Sequence, residues 1–242
     1  MKVSKVTSQE NILIVGFPSN GLIGTFTISY LIHSLDMKQI GELDHPDLPP
    51  TLFVENGEIL APVRIYKKNN IFVIISDLPF DPFLAYDFAN SILEYCKKND
   101  IKKIIIVSGM ETINKDPKAP NVYGLVTHQY LEEILYANQI SKFLTGSIFG
   151  TDAAMITVFR KSKIPTLILY TECHPFFPDP EASVTAIATL AKVLNITLDT
   201  TDIQKRIERL RIQHRNLMEE TIRALQQQKQ ENQPTRIPQI YR

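Results

Sequence analysis

Cysteine is nearly absent from this sequence. Cys96 and Cys173 are the only two in 242 residues, too few for a disulfide scaffold. No apolar run approaches the roughly 20 residues that a helix needs to cross a bilayer, which excludes a helical membrane protein. No secretory leader precedes the first apolar run, so a reducing cytoplasm is the expected location and the Asn195-Ile196-Thr197 sequon has no use there. An excess of either charge is missing too, with 26 Lys/Arg against 26 Asp/Glu. The common catalytic and cofactor signatures are also lacking. There is no Gly-x-Ser-x-Gly elbow, no His-Glu-x-x-His helix, no phosphate loop ending in Gly-Lys-Ser/Thr and no Gly-x-Gly-x-x-Gly turn. No cofactor, metal or catalytic residue is therefore expected.

What is present is an ordinary water-facing composition, 44% hydrophobic and 21% charged, in a chain long enough for one large domain with an appendage. Residues 11–16, Asn-Ile-Leu-Ile-Val-Gly, form a short β-branched run that reads as a buried strand. Similar runs follow at 52–54, 63–66, 71–76, 104–107 and 166–170. Helical spacing marks 22–35, 85–98, 130–137, 151–160 and 180–194. Strands alternating with helices predict an α/β domain with a largely parallel sheet.

Near Asp199-Thr200-Thr201-Asp202 the composition changes and polar caps for a new helix appear. From there apolar positions run 203, 207, 210, 214 and 217, and the stripe drifts to 218, 222 and 225, as a straight helix does against a seven-residue repeat. About 40 Å of such helix needs a surface for its stripe, either the body or another copy of the chain. The chain thus divides into 1–200, an α/β domain, 201–230, a helix, and 231–242, a proline-broken polar tail expected to stay mobile. Residues 202–242 carry nine Lys/Arg against five Asp/Glu, and the body the reverse imbalance. A basic arm on an acidic body suits an acidic protein surface. Acidic residues interleave the arm and no aromatic precedes Tyr241, so nucleic acid is not an expected partner. The tail ends on Ile240-Tyr241-Arg242, where a purely solvating segment has no use for the first two. A terminal carboxylate behind two pocket-filling side chains is a recurring peptide anchor, although ordinary composition gives a hydrophobic-tyrosine ending in about one chain in a hundred.

Two clusters invite an enzymatic reading. Gly16-Phe17-Pro18-Ser19-Asn20-Gly21-Leu22-Ile23-Gly24 joins a strand to a helix, where α/β proteins seat phosphate, but glycines also serve tight turns and close helix packing. Thr171-Glu172-Cys173-His174 follows an apolar run, yet a Cys beside a His lacks the third orienting group that a nucleophile needs. The alternative function is a nucleoside phosphorylase or hydrolase, with Gly21 and Gly24 near phosphate and Glu172 or His174 acting on sugar or base. Asp44-His45-Pro46-Asp47-Leu48-Pro49-Pro50 reads as a rigid extended loop. His33 reads as a packed or surface residue, and His128 is undecided.

The order of segments resembles the PAC2 family of proteasome assembly chaperones, most closely its archaeal members. The resemblance runs from Asn11 to the end of the sequence. It rests on Gly16-Phe17-Pro18 with Gly21 and Gly24, the 44–50 loop, Pro62-Val63-Arg64-Ile65-Tyr66, Ser76-Asp77-Leu78-Pro79, Val122-Tyr123-Gly124, Gly146-Ser147-Ile148-Phe149-Gly150, and the 171–175 and 178–181 segments. Two departures stand out: Ser19-Asn20, where a more glycine-rich turn is expected, and Thr151-Asp152, where smaller residues are usual. The first speaks against a ligand site in that loop. The resemblance implies a three-layer α/β/α sandwich related to the nucleoside phosphorylases without their catalysis, and a homo-oligomer, a tetramer by expectation. It also implies the α-subunits of the 20S proteasome as partners. Ile240, Tyr241 and Arg242 stand where the family's hydrophobic-tyrosine-any motif docks between α-subunits.

Overall fold

The computed structural model describes residues 10–45, 48, 50–55, 57–80, 84–112, 120–174 and 178–198, with 203, 205 and 207 beyond them. Its centre is an eight-stranded sheet in the order β2-β5-β6-β1-β7-β10-β8-β9. Here β1 is Asn11–Gly16, β2 Lys38–Glu42, β5 Val63–Lys68, β6 Ile71–Ser76, β7 Ile101–Glu111, β8 Val122–Val126, β9 Ser141–Lys142 and β10 Thr166–Cys173. The four inner strands β6, β1, β7 and β10 are parallel. Outside them β5 and β2 run antiparallel on one side and β8 antiparallel on the other, so the expected parallel sheet holds for the centre and becomes mixed at its flanks. A separate hairpin pairs β3 (Phe53–Glu55) with β4 (Glu58–Leu60).

Both faces of the inner strands are covered, which is why they are uniformly apolar. Side chains alternate across each strand. Leu13, Val15, Ile104, Ile106 and Ile168 face one layer, made of α2 (Ala85–Lys98) and α4 (Gly150–Phe159), and meet Phe88, Ile92, Met155 and Phe159. Ile14, Ile105, Val107, Leu167 and Leu169 face the other layer, made of α1 (Ile23–Ser34), α3 (Glu132–Ala137) and α5 (Pro180–Leu194), and meet Ile28, Leu31, Leu135, Ala186 and Leu190. The result is the three-layer α/β/α sandwich. Each fully buried Ile or Leu contributes about 1.5–3 kcal/mol in transfer terms. Asp179 caps α5 by accepting from the Ala182 N–H at 3.1 Å, and Pro180 fills the first helical position.

The seat of α1 depends on glycines. A Cβ on Gly24 would lie 2.5 Å from the Phe17 carbonyl oxygen and 2.8 Å from that of Val107. One on Gly16 would lie 2.5 Å from the Gly24 carbonyl oxygen. Helix and strand backbones therefore touch directly, and Gly21 adds a left-handed turn at φ 65° that L side chains resist.

A third buried cluster lies outside these layers, where Leu22, Phe26, Tyr30 and Ile187 of the α1–α5 surface meet Ile203 and Ile207. The C-terminal helical stretch thus starts with its first two stripe residues packed on the body. The 199–202 boundary, residues 208–242, and with them the 231–242 tail and Ile240, Tyr241 and Arg242, lie outside the described residues.

The glycine contacts predict a sharp contrast. Gly24→Ala is expected to lower unfolding free energy by about 1–3 kcal/mol through overpacking against backbone. Gly41→Ala, whose new methyl would meet only Ile65 Cδ1 at 3.9 Å, should change stability by less than about 0.5 kcal/mol. Urea unfolding of the two variants measures both.

Candidate functional site

The glycine loop after β1 is committed to packing. Gly109 of β7 would place a Cβ 2.0 Å from the Asn20 carbonyl oxygen, and its N–H donates to Ser19 Oγ at 3.1 Å. The loop is pressed onto the sheet by three close backbone approaches, at Gly16, Gly24 and Gly109.

The Thr171–His174 cluster is contiguous only in sequence. Strand alternation sends Thr171 and Cys173 toward the α1–α5 layer, where both are buried, and Glu172 to the opposite face. The Glu172 carboxylate accepts from Asn121 N–H at 3.0 Å, Asn121 Nδ2 at 2.9 Å and the Tyr123 hydroxyl at 3.3 Å, which ties β8 to β10. That hydrogen bond and burial, burial first, hold the Tyr123 phenol above its usual range. Cys173 Sγ lies 3.6 Å from the Met110 carbonyl oxygen. His174 is exposed, and its backbone N–H donates to Asp179 Oδ2 at 2.9 Å. Each of these groups holds the frame, and the arrangement brings no nucleophile, base and orienting group together.

The other sequence candidates are likewise structural. His45 tilts against the Phe88 ring with centroids 5.8 Å apart, and Leu48 is buried; Pro46, Asp47 and Pro49 lie outside the described residues. His33 is exposed in the last turn of α1. His128 Nδ1 pairs with Thr127 Oγ1 at 2.9 Å. Among the described residues no three His, Cys, Asp or Glu side chains could hold a metal ion, and no helix is long and apolar enough to cross a membrane.

A concavity lies between segments that the sequence marked separately, 16–24, 76–79 and 146–150. A cavity of about 870 Å³ opens at the carboxyl ends of β1, β6, β7 and β10, on the α2–α4 side of the sheet. Open α/β sheets commonly bind ligands at this edge. Ser108 and Tyr170 are paired in register on β7 and β10 and share the cavity-facing parity. Asp152 reaches it from the first turn of α4. The departures at 19–20 and 151–152, more than 130 residues apart, line this same cavity. Burial pushes the Asp152 carboxyl above the usual carboxylate range, and the neighbouring Ser108 and Tyr170 hydroxyls oppose that shift. Burial, with Asp152 second, pushes the Tyr170 phenol up as well.

The wall formed by Pro79 and Phe80 is held from below. Ser76 Oγ donates to the Leu78 carbonyl at 2.7 Å and accepts the Leu78 N–H at 3.1 Å. Asp77 forms a buried ion pair with Arg64 at 2.6 Å, and Arg64 also donates to the Ala61 carbonyl and the Tyr66 hydroxyl. Burial works against the Arg64 charge, but Asp77 and Tyr66 outweigh it and hold the guanidinium above its usual pKa. Phe80 then stacks on Phe88 and meets Phe17 edge-on. Two motifs of the sequence, 62–66 and 76–79, are this brace.

A family model described as the PAC2 family matches residues 13–218. Among solved structures, Pyrococcus furiosus PbaA, described as an archaeal homolog of proteasome-assembly chaperone, superposes with a TM-score of 0.82 at 28% identity, covering 90% of this chain and 96% of that one. Pyrococcus furiosus PbaB, described as an archaeal proteasome activator, gives 0.72 at 18% identity over 92% and 96%, a likeness of fold. The uncharacterized protein MJ0106 of Methanocaldococcus jannaschii is 22% identical over 94% of both chains.

The raised Asp152 pKa has a signed consequence. The folded chain holds this proton to higher pH than the unfolded chain, so the group's contribution favours folding at low pH and is lost as pH rises through the folded pKa. Asp152→Asn should therefore melt higher than the parent at pH 7, and the gap should close as pH falls toward about 4. Thermal melts of the pair across that range measure it.

Proposed function

The chain belongs to the PAC2 family, and from that premise we propose that it is a proteasome assembly chaperone that binds the α-subunits of the 20S proteasome without using ATP. The observation that carries this reading is the end-to-end likeness to PbaA, at 28% identity over 90% of the chain. The body is a scaffold. Its layers are closed by packing, and the residues that looked enzymatic are spent on structural hydrogen bonds. The nucleoside-cleaving alternative is not favoured, because the Glu172 carboxylate is held by Asn121 and Tyr123, His174 is exposed and Gly24 is packed against backbone.

The finer reading is that the same protein is a proteasome activator that engages through Ile240-Tyr241-Arg242. Ile240 and the Tyr241 ring leave water for a crevice between subunits, each contributing about 1.5–3 kcal/mol if fully buried. The tyrosine hydroxyl needs a partner there. With Arg242 terminal, its carboxylate pairs with a basic group in the pocket, worth about 1.5–3 kcal/mol net. A single anchor is weak, and a homo-oligomer, a tetramer in this reading, strengthens it through effective concentration. Gate opening requires the anchors to prefer the open ring, since equal affinity for both states shifts nothing. What supports the reading is the residue pattern of the tail and the family to which the chain belongs.

Peptide hydrolysis by purified archaeal 20S proteasome tests it. The intact protein is expected to raise the rate, and Tyr241→Ala to abolish most of that rise while leaving the melting temperature unchanged. Stimulation that survives deletion of 240–242 would remove the anchor mechanism. Binding by co-sedimentation with no stimulation would leave assembly as the function.

A further inference from the structure

The cavity at the sheet edge has the features of a ligand site independent of the C-terminal anchor. Its floor is polar and its flanks are apolar, the usual division of labour in a small-molecule pocket. Ser108 is 1% exposed and Tyr170 5% exposed; neither hydroxyl meets a partner at full hydrogen-bond geometry, and the group that both stand beside is the Asp152 carboxyl. Hydroxyls that donate toward a carboxylate keep their oxygen lone pairs for a further donor. Both line the cavity, side by side on adjacent strands.

The third floor group sets the charge. Asp152 lines the same cavity, and among the described residues no cationic side chain forms an ion pair with it. The flanks are Phe80, Phe143, Ile148 and Phe149, and the Phe143 ring tilts toward Tyr170 with centroids 5.7 Å apart. Phe149 is 81% exposed, a large ring held at the cavity rim.

We propose that this cavity binds a small organic cation, an ammonium or amidinium on a flat apolar body, with its N–H groups on Asp152, Ser108 and Tyr170 and its body against Phe80 and Phe143. The chemistry selects this class over its rivals. A carboxylate on the floor repels an anion, although the first turn of α4 by itself would attract one. A metal ion would need more such ligands than Asp152 and Glu111, the two carboxylates that line the cavity. An organic cation satisfies all three groups, since a carboxylate and two hydroxyl oxygens accept together, and the aromatic flanks favour a cation near their faces. An amidinium matches the two carboxylate oxygens in a bidentate pair.

Benzamidine is the probe, with benzyl alcohol and benzoate as neutral and anionic counterparts of similar body. Calorimetric titration of the full chain is expected to show benzamidine binding at least about tenfold more tightly than either counterpart, the scale of one charge-assisted pair. Asp152→Asn should remove that preference, and Tyr170→Phe should weaken benzamidine severalfold. Thermal melts verify that both variants are folded, and the comparison of the three probes on the parent stands if a variant is not. Equal binding of benzamidine and benzyl alcohol by the parent, tighter binding of benzoate, undiminished binding by folded Asp152→Asn, or no binding at millimolar benzamidine would each overturn the proposal.

Discussion

Backbone touching backbone at Gly16, Gly24 and Gly109 is the contact on which the rest of this molecule is built. A helix normally stands off a sheet by the length of two side chains. Here the start of α1 and the loop before it touch β1 and β7 backbone to backbone, because a Cβ at any of the three positions would fall within 2.5 Å of a carbonyl oxygen. That approach sinks α1 deep enough for its outer side, Leu22, Phe26 and Tyr30, to be covered in turn by Ile203 and Ile207. It also presses the 17–22 loop onto β7, which fixes Ser19 at the rim of the cavity. Leu22 adopts a left-handed conformation at φ 56°, at a cost of roughly 1–2 kcal/mol, and its burial in the third cluster offsets that cost.

The parallel centre imposes a second order on the chemistry. Side chains of one strand diverge to opposite layers, so a run of reactive residues such as Thr171-Glu172-Cys173 is dispersed by the pleat. Residues far apart in the chain converge instead. Ser108, Asp152 and Tyr170 meet because β7 and β10 are parallel neighbours and α4 begins above their carboxyl ends. The brace of Arg64 and Asp77 belongs to this arrangement, since a buried pair is costly to desolvate and persists where geometry and additional hydrogen bonds are good. Both conditions hold at the wall that carries Phe80.

Function in this reading is split between the packed body and the C-terminal arm. The first turns of the C-terminal helix are fixed to the body by Ile203 and Ile207, so whatever the arm presents begins from a defined point. The two departures from the expected family pattern, at 19–20 and 151–152, both line the cavity. The expectation that Ser19-Asn20 speaks against a ligand site concerned the glycine loop itself, where Ser19 Oγ accepts from the Gly109 N–H; the same two residues also line the neighbouring cavity.

Much of the architecture was legible in residues alone. Period and β-branching marked the positions of α1 to α5 and the inner strands, since strands buried on both faces must be continuously apolar. Strands at the flanks of the sheet escaped. β2, Lys-Gln-Ile-Gly-Glu, and β8, Val-Tyr-Gly-Leu-Val, are short, and their pairing is decided by neighbours more than by their own side chains. The glycine loop was readable as packing, because absent side chains permit close approach, but its partners in β7 were not. The proposal for Ile240-Tyr241-Arg242 rests on sequence alone, since those residues lie outside the described ones. The cavity is the opposite case. Ser108 follows and Tyr170 ends a run that reads as ordinary buried strand, 104–107 and 166–170, and Asp152 stands out only as half of the Thr151-Asp152 departure. Only the parallel register of β7 and β10, and the landing of α4 over their ends, turned three unremarkable residues into one polar floor, because proximity between distant segments is a property of packing and not of local sequence.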